Sequence, residues 1–579
     1  MKKCKTLDGK YVYKIKKNSE EYFLANKENY KEDIDNLIKE LDGLKFNSLI
    51  IIFGIDTAEY LNELKKNICE QNRVIIYEPN KDVFEENKVI NLTHNKIKLI
   101  LFEKEKVKEQ LSLFINPLNF DNLYLQFFGN YEEIYKEEAE VLTQALDYLF
   151  VDSLSFMVLS NRFGEVFIRN LIWNLDIINK STSIDKIKGK YKDVPAIIVS
   201  AGPSLEENIK SMVRNKEALK NYLVVAGSRT LKALIENGIN PNLIVTIDPV
   251  DENYEMISEY INSDIPLAFY EYSNRKILSE YKGEKIYLSS ILSKVVEELN
   301  TLKSIYLGGS VAHTAVDVAR TLACNPIIFA GQDLAYTNEK HHAKEATFNL
   351  DKSINYEATE LVKDVNGNEV KTNATLNSFR ETLQDYIKGD KRINEVEYIN
   401  VSNGAMIEGT IHMDFDDLFK TNIFNASKYN FKPIYNMKIN RDEIINDITE
   451  FISFYIEEAK YGIEKCTLLQ ECHENKSLVD IDNEDKDFIE FMECFSKIIN
   501  FENSKKSIFL GGYFNNFTSN IKRERFRMDV KDYERLTSNM KYQSKCLLGY
   551  FKDMKKMLED VQKIVKEEVA NFNKYHSIN

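Results

Sequence analysis

The chain has 579 residues, of which 43% are hydrophobic, and it carries a formal net charge of −14 at pH 7. This length is too great for one hydrophobic core and suggests about three domains. Because a nucleic-acid backbone requires clustered lysines and arginines, the acidic balance without a basic block argues against nucleic acid as the main ligand. No apolar run approaches the roughly 18 residues that span a bilayer, and no apolar leader begins the chain, so we expect a cytoplasmic protein without membrane insertion.

The seven cysteines form no Cys-x-x-Cys pair, and scattered free thiols are typical of a reducing compartment. Cys466, Cys472 and His473 lie close together, but no second ligand pair with zinc spacing accompanies them. We therefore expect neither a structural metal nor a bound cofactor.

The N-terminal region has a small Rossmann-like pattern. Residues 1–40 are polar and lysine-rich, and buried strands are predicted over 46–54, 74–77 and 97–102. Glu78 ends the second strand about 20 residues after Gly54, an arrangement found in dinucleotide sites. A single glycine is a weak fingerprint, so we favour a structural module over an active site. A mostly helical connector is predicted to follow.

Strands and helices alternate most regularly over residues 185–345, which predicts a mostly parallel sheet covered on both faces. The stretch 195–205 has the repeating unit: a buried strand, a turn at Gly202 and a helix that Ser204 opens. Ser204 and Glu207 have the spacing of a capping box. A glycine turn that leads into a helix leaves N–H groups free to bind an anion such as phosphate.

Small, polar or acidic residues follow five of the predicted strands in this region, one of which is expected over 304–307. Because ligands bind outside the carboxyl ends of the strands in open α/β sheets, we expect these residues to form one site. They are Ser200, Gly202 and Ser204, then Ser228 and Arg229, then Asp248, then Gly309 and Ser310, and finally Gln332 and Asp333.

Beyond Tyr336 the chain changes character. We interpret residues 340–425 as a lid or insertion over the sheet edge, with a hairpin turn at Asn366-Gly367 and a returning strand over 398–403. Helices are predicted to dominate after about residue 430, where apolar residues from Leu547 to Val565 recur at spacings of four and three. Such a stripe of apolar residues indicates the core of a helical bundle or, alternatively, a surface that binds a helical protein partner.

Five motifs of the central region together resemble the motility-associated factor (Maf) flagellin glycosyltransferases. They are Val199-Ser-Ala-Gly-Pro-Ser-Leu205, Ile247-Asp-Pro249, Gly308-Gly-Ser-Val-Ala-His313, Phe329-Ala-Gly-Gln-Asp-Leu-Ala-Tyr336 and His342-Ala343. The central region is also similar to bacterial sialyltransferases that use a CMP-activated donor and to archaeal 6-hydroxymethylpterin diphosphokinases.

The resemblance implies an α/β protein of three domains. We expect a Rossmann-like N-terminal domain with a helical connector over 1–180, a central sialyltransferase-like parallel-sheet domain over 181–428 and a C-terminal helical bundle over 429–579. It implies that a nonulosonic acid, such as pseudaminic or legionaminic acid, is transferred from its CMP donor to serine or threonine hydroxyls of flagellin. The expected partners are thus flagellin and the CMP-sugar, and we expect no metal requirement.

The resemblance also suggests roles for the residues. The amides of Ala201 and Gly202, with the hydroxyl of Ser204, are expected to bind the donor phosphate. Ser228 and Asp248 are expected to contact ribose and base, and Ser310, after Gly309, is a second donor near the phosphate. The remaining predicted donor-binding residues are Ser200, Gly309, Gln332 and Asp333.

Two catalytic residues are implied. Tyr336 is expected to hydrogen-bond the departing phosphate, and His342, directly before Ala343, is expected to take the proton of the acceptor hydroxyl. His341 is a neighbour that the motif does not require. His313 or His412 is the next candidate for the base.

Two other functions stay open. A pterin diphosphokinase would use ATP and Mg²⁺, although the large flanking regions are unnecessary for a small kinase. A flagellin-binding chaperone with a decayed sugar site would explain the helical C-terminal third, but the strand-end motifs are intact.

Overall fold

The computed structural model describes residues 1–45, 47–69, 71–93, 95–115, 119–337, 340–346, 348, 358, 360–421, 437, 439–532 and 540–578. The chain divides into two compact units. Unit 1 comprises Met1–Arg162, Ser453–Asn503 and Gly512–Glu559, and unit 2 comprises Phe163–Ile452, Ser504–Gly511 and Asp560–Asn579.

Unit 1 contains two sheets. The antiparallel sheet consists of β1 (Lys2–Lys5), β2 (Tyr11–Lys17) and β3 (Glu20–Phe23), and the parallel sheet of β4 (Leu49–Phe53), β5 (Arg73–Glu78), β6 (Ile97–Leu101) and β7 (Leu123–Phe127). The parallel sheet has the order β6-β5-β4-β7, and all five residues of β4 are buried. The predicted Rossmann-like pattern is therefore confirmed.

The antiparallel sheet and β7 were not predicted from the sequence. In β2, Val12, Tyr13 and Ile15 are buried, while lysines occupy the more exposed positions. The lysine-rich composition of residues 1–40 obscures this short alternation, which only pairing with β1 and β3 makes stable.

Unit 2 is built on a nine-stranded parallel sheet, with the order β18-β17-β14-β9-β10-β11-β12-β13-β8. Its strands are β8 (Thr182–Ser183), β9 (Ala196–Val199), β10 (Leu223–Gly227), β11 (Leu243–Thr246), β12 (Leu267–Phe269), β13 (Lys285–Tyr287), β14 (Ile327–Ala330), β17 (Tyr398–Asn400) and β18 (Ile411–His412). The hairpin predicted at Asn366-Gly367 is confirmed, and it joins β15 (Glu360–Lys363) to β16 (Glu369–Thr372).

The strand order reverses beside β9. From β9 the chain adds β10 to β13 on one side of the sheet and then crosses to β14 on the other side. Both neighbours pair in parallel with β9. In open α/β sheets ligands bind at such a topological switch point, outside the carboxyl ends of the strands.

The strand predicted over 304–307 is wrong. The Ile305 N–H donates to the Ser289 carbonyl at 2.7 Å, and the Tyr306 N–H donates to the Asp317 carboxylate at 2.9 Å. The Asp317 side chain thus takes the place of a neighbouring strand, a competition that local sequence does not reveal.

The helices cover both faces of the unit 2 sheet and supply most of the C-terminal third. Helices wholly within unit 1 are Tyr30–Lys39, Leu61–Asn67, Lys81–Asn87, Ile90–Thr93, Val107–Ser112, Tyr131–Ile134, Lys486–Asn503, Gly512–Asn516 and Arg523–Phe526. Those within unit 2 are Leu205–Arg214, Lys216–Leu219, Ser228–Glu236, Asp251–Ile257, Arg275–Glu280, Leu292–Val295, Val311–Thr321, Ala374–Ile393 and Phe415–Thr421. In the part of the chain that the structure describes, no helix is long and apolar enough to cross a bilayer.

Three long helices contribute residues to both units: Lys136–Asn179, Arg441–Cys472 and Met540–Ile578. The units are therefore discontinuous in the sequence. The predicted boundary between residues 428 and 429 lies outside the described residues, as does the end of the predicted insertion over 422–425, and the three-domain division stays a prediction.

Candidate functional site

A cavity of about 520 Å³ opens at the carboxyl ends of β9, β10, β11 and β14 in unit 2. Most of the residues that the sequence placed at strand ends line it: Ser200, Ala201, Gly202, Ser228, Asp248, Ser310, Gln332 and Asp333, together with His341 and His342. Ser204, Gly309 and Tyr336 are sequence neighbours or hydrogen-bond partners of lining residues. The structure thus brings the predicted residues together, while their roles stay predictions.

The turn after β9 is braced by Asp333, which is almost fully buried. The Ser204 N–H donates to Asp333 Oδ2 at 3.0 Å, and the Ser204 hydroxyl donates to Oδ1 at 2.5 Å. A Cβ atom on Gly202 would collide with the same carboxylate, so this close approach requires glycine. Burial raises the pKa of Asp333, and the hydrogen bonds from Ser204 oppose that rise.

The predicted capping box is wrong. Ser204 has helical backbone angles, and its side chain caps no N–H group of the helix Leu205–Arg214. Its hydroxyl donates to Asp333 and accepts from the Asn403 N–H at 2.9 Å, while Glu207 pairs with Lys210. Residues distant in the sequence therefore engage the Ser204 hydroxyl, and the local sequence pattern does not reveal this competition.

The groups predicted to bind phosphate at this turn are partly engaged within the protein. The Gly202 N–H donates to the Gly331 carbonyl at 2.8 Å, and the N–H and hydroxyl of Ser204 are bound to Asp333. The Ala201 N–H has no acceptor among the described residues. Of the three predicted donors, Ala201 is therefore the one that is free for a ligand in this conformation.

Three further helices begin at the cavity: Ser228–Glu236, Val311–Thr321 and Ala374–Ile393. Their first-turn N–H groups and helix dipoles favour a bound anion. At the second helix, the Ser310 hydroxyl accepts from the Ala312 N–H at 3.3 Å and keeps its own proton to donate.

Arg229, which the sequence placed among the strand-end residues without a specific role, brings a positive charge to the cavity wall. Its guanidinium donates to the Ala346 carbonyl at 3.2 Å and lies 5.5 Å from the ring centre of Phe348. Burial raises the pKa of Asp248, and the charge of Arg229 lowers it. In the sequence, the feature that pointed to Arg229 was its position directly after Ser228, at the end of a strand.

Ser228 and Asp248 line the cavity on adjacent strand ends. The Ser228 hydroxyl donates to Thr246 Oγ1 at 3.3 Å, and the Asn253 amide donates to the same oxygen at 2.8 Å. The Ser228 oxygen keeps lone pairs for a ligand, whereas its proton is engaged.

Tyr336 and the two adjacent histidines form an aromatic cluster at the cavity. The Tyr336 hydroxyl accepts from the Asn373 amide at 2.7 Å, and partial burial raises the pKa of Tyr336. The ring centres of Tyr336 and His341 are 5.4 Å apart, and those of His341 and His342 are 4.3 Å apart. The buried Ala343 donates its N–H to the Ala201 carbonyl at 3.0 Å and so fixes the backbone next to His342.

The other two histidine candidates are engaged elsewhere. His313 is buried, its Nδ1 is next to the Gly308 carbonyl and its Nε2 lies 3.0 Å from the Phe379 carbonyl. Burial lowers the pKa of His313. His412 lies on β18, with Nδ1 3.0 Å from the Asn400 carbonyl. We therefore take His341, which lines the cavity, as the alternative to His342.

In unit 1, protein side chains occupy the space at the carboxyl ends of the corresponding parallel strands. Gly54 has a φ of +105°, and the Tyr131 ring packs where a side chain at this position would lie. Glu78 accepts from the Tyr131 hydroxyl at 2.7 Å and from the Ile55 N–H at 3.0 Å. These contacts support the structural interpretation of the N-terminal module.

Within the described ranges, no group of three or more His, Cys, Asp or Glu side chains is arranged to hold a metal ion. The independence from metal stays a prediction.

The chain is similar both to a protein-family model and to a solved structure. Residues 169–339 match the family model described as MptE-like, 6-hydroxymethylpterin diphosphokinase MptE-like. No curated protein matches the chain. The solved structure of a Maf glycosyltransferase from Magnetospirillum magneticum AMB-1 is similar at a TM-score of 0.56 and 13% sequence identity, over 99% of this chain and 92% of that chain. The predicted α/β fold class and the resemblance to the Maf and diphosphokinase proteins are thereby confirmed: the chain has a Maf-like fold, and its residues 169–339 are MptE-like. The similarity to sialyltransferases stays a prediction.

Proposed function

We propose that this protein is a glycosyltransferase that moves a nonulosonic acid from a CMP-activated donor to serine or threonine hydroxyls of flagellin. The observation that carries the proposal is the cavity at the topological switch point, where Arg229 and the N-termini of three helices surround one space. This environment suits a phosphate that leaves with a nucleotide. The motif resemblance supports the choice of donor and acceptor, and the fold shared with a Maf glycosyltransferase supports glycosyl transfer.

In this proposal the phosphate of the donor lies against the Ala201 N–H, the Ser310 hydroxyl and Arg229. Backbone amides and a guanidinium stabilise the negative charge that grows on the phosphate as its bond to the sugar breaks. Asp248 and the Ser228 oxygen accept hydrogen bonds from ribose or base.

Transfer is a single displacement at the anomeric carbon. The acceptor oxygen forms the new bond, the electron pair of the broken bond leaves on the phosphate of CMP, and His342 takes the hydroxyl proton. Tyr336 donates a hydrogen bond to the departing phosphate. Attack opposite the leaving group inverts the anomeric centre.

A thermal-shift experiment tests the donor site. CMP should raise the melting temperature of the full chain in excess EDTA, because a ligand that binds only the folded state stabilises it. Arg229→Gln removes the charge and should weaken CMP binding by about tenfold or more, the typical cost of one charge-assisted contact. A parent protein that ATP stabilises and CMP does not would contradict the proposal.

A second candidate function is transfer of a diphosphate group from ATP to the hydroxyl of a pterin, with AMP as the leaving group. The match of residues 169–339 to the MptE-like family favours it. This candidate requires stabilisation by ATP with Mg²⁺ and formation of a pterin diphosphate, so a second melting series with ATP and excess Mg²⁺ in place of EDTA distinguishes the two. A chaperone without a sugar site would respond to neither nucleotide.

A further inference from the structure

The side chain of Gln332 holds a buried amide oxygen that accepts no hydrogen bond from any residue the structure describes. Gln332 is 4% exposed, and it lines the cavity at the end of β14. A buried acceptor without a donor destabilises the folded protein, because it has lost its hydrogen bonds to water. Because Gln332 lines the cavity, a bound ligand can supply the missing donor.

Hydrogen bonds hold the backbone at Gln332 and at the residue before it in place. The Gln332 N–H donates to Ser402 Oγ at 2.8 Å, and the Gly331 N–H donates to the Asn208 side chain at 2.8 Å. Leu334 has a φ of +52°, in the region that residues other than glycine rarely adopt. Backbone strain of this kind persists where the surroundings over-determine the conformation, as at ligand sites.

Asp333, the next residue, has the opposite character. Its carboxylate accepts from the N–H and hydroxyl of Ser204 and from the Thr337 hydroxyl, at 3.0, 2.5 and 2.9 Å. These bonds join the turn after β9 to the segment that leads to the two histidines. The Asp333 carboxylate therefore has its hydrogen-bond donors within the protein, whereas the Gln332 amide oxygen has no donor among the described residues.

We propose that Gln332 binds the nucleoside of the donor through its amide oxygen, whereas Asp333 is a positioning residue that makes no contact with the ligand. The identity of the ligand rests on the function proposed above. The partner of Gln332 must be an N–H or O–H group, which a nucleoside supplies as the exocyclic amine of cytosine or as a ribose hydroxyl.

The first test measures the ligand-free protein. Gln332→Met replaces the amide with an apolar group of similar length, and the melting temperature should stay equal or rise because an unsatisfied acceptor is removed. Asp333→Asn, the matched control, should lower it, because its NH₂ group would face the donors of Ser204. A fall of several degrees in Gln332→Met would overturn the proposal by showing that the side chain is structural.

The second test measures nucleotide affinity by calorimetry. Gln332→Met should weaken CMP binding by about tenfold or more. If the cytosine amine is the partner, UMP should bind the parent more weakly than CMP, and the variant should bind both alike. If a ribose hydroxyl is the partner, the 2′- or 3′-deoxy form of CMP should bind the parent as weakly as CMP binds the variant.

The outcomes separate this inference from the proposed function. CMP affinity within twofold of the parent in Gln332→Met would overturn the inference even if CMP is the true ligand. If the parent binds ATP instead of CMP, the proposed function fails, and an equal loss of ATP affinity in Gln332→Met would still support the inference. A parent that binds none of these nucleotides would overturn both.

Discussion

His342 and its neighbour His341 reach the same cavity but are held differently. The backbone after His342 is fixed by the N–H of Ala343, which donates to the Ala201 carbonyl at the end of β9. His341 instead packs between the rings of Tyr336 and His342. The motif alone favoured His342. The hydrogen bond from the next residue, Ala343, to the cavity wall fixes the His342 backbone and gives that choice a physical reason.

We therefore expect His342→Ala to lower the rate of sugar transfer by about 10²–10⁴, the usual cost of losing a general base. Its affinity for CMP and its melting temperature should change little. The measurement is transfer of the sugar to flagellin, followed by mass spectrometry of the acceptor.

His341→Ala is the matched control and should reduce transfer less. If His342→Ala keeps activity within a few-fold of the parent while His341→Ala loses it, His341 is the base. His313 is no longer a good alternative, because both its ring nitrogens lie against carbonyl oxygens.

At the scale of the element, the two parallel sheets end differently. After β9 in unit 2, the strand ends surround a cavity. In unit 1, Asp56, which follows β4, and Glu78, which ends β5, are fully buried. The Tyr13 N–H donates to Asp56 Oδ1 at 2.8 Å, which connects β2 to the end of β4. Burial raises the pKa of Asp56 to about 7 and that of Glu78 to about 8.

The stability of unit 1 should therefore fall as the pH rises from about 4 to about 7. In this range the folded state keeps a proton on Asp56 that the unfolded state has lost, so ionisation favours unfolding. Asp56→Asn keeps the acceptor for Tyr13 but cannot ionise. Relative to the parent, it should gain about 3 kcal/mol of unfolding free energy between pH 5 and pH 8.

Calorimetric melting of the two proteins at both pH values measures this difference, and the contribution of Glu78 cancels in first approximation. Asp82→Asn, the same substitution at an exposed position of the same unit, is the control. An equal stability difference between Asp56→Asn and the parent at pH 5 and pH 8 would refute the assignment.

At the scale of the whole molecule, the last part of the C-terminal helix belongs to unit 2, which includes Asp560–Asn579. Glu568, which is 1% exposed, pairs with Arg169 at 3.0 Å and with Arg275 at 2.8 Å. All three residues belong to unit 2 although they are separated by hundreds of positions. A chain cut near residue 430 would leave both arginines without this partner, so truncation cannot cleanly test a docking role for the C-terminal third.

Glu568→Ala should destabilise unit 2 by about 2 kcal/mol, because Arg275 loses its carboxylate partner while Arg169 keeps Glu165 and Glu567. Glu567→Ala is the matched control: Glu567 also pairs with Arg169 but its side chain is 44% exposed, so its loss should cost less than about 1 kcal/mol.

Urea unfolding followed by tryptophan fluorescence measures both. The single tryptophan of the chain, Trp173, packs against Phe572 and Tyr575 of the same helix as Glu568 and therefore reports on unit 2. Equal midpoints for the two variants would contradict the prediction.

The sequence by itself determined the features that depend on local pattern. Buried apolar runs bounded by turn residues specified most strands of both parallel sheets, and the residues after them specified which side chains share one edge. This works because strand direction and the connections between parallel strands are constrained, so that consecutive strand ends meet on one side of a sheet. The resemblance of the five motifs led to the same fold.

Only the tertiary structure decided which of these side chains are free to act. Ser204 and Glu207 have the spacing of a capping box, yet Asp333, 129 positions from Ser204, takes the Ser204 hydroxyl. Arg229 and the unpaired oxygen of Gln332 gain their importance from the cavity around them. Hydrogen bonds between distant segments compete with local ones, and the burial that makes them strong exists only when the chain has folded, so a linear pattern does not contain the outcome.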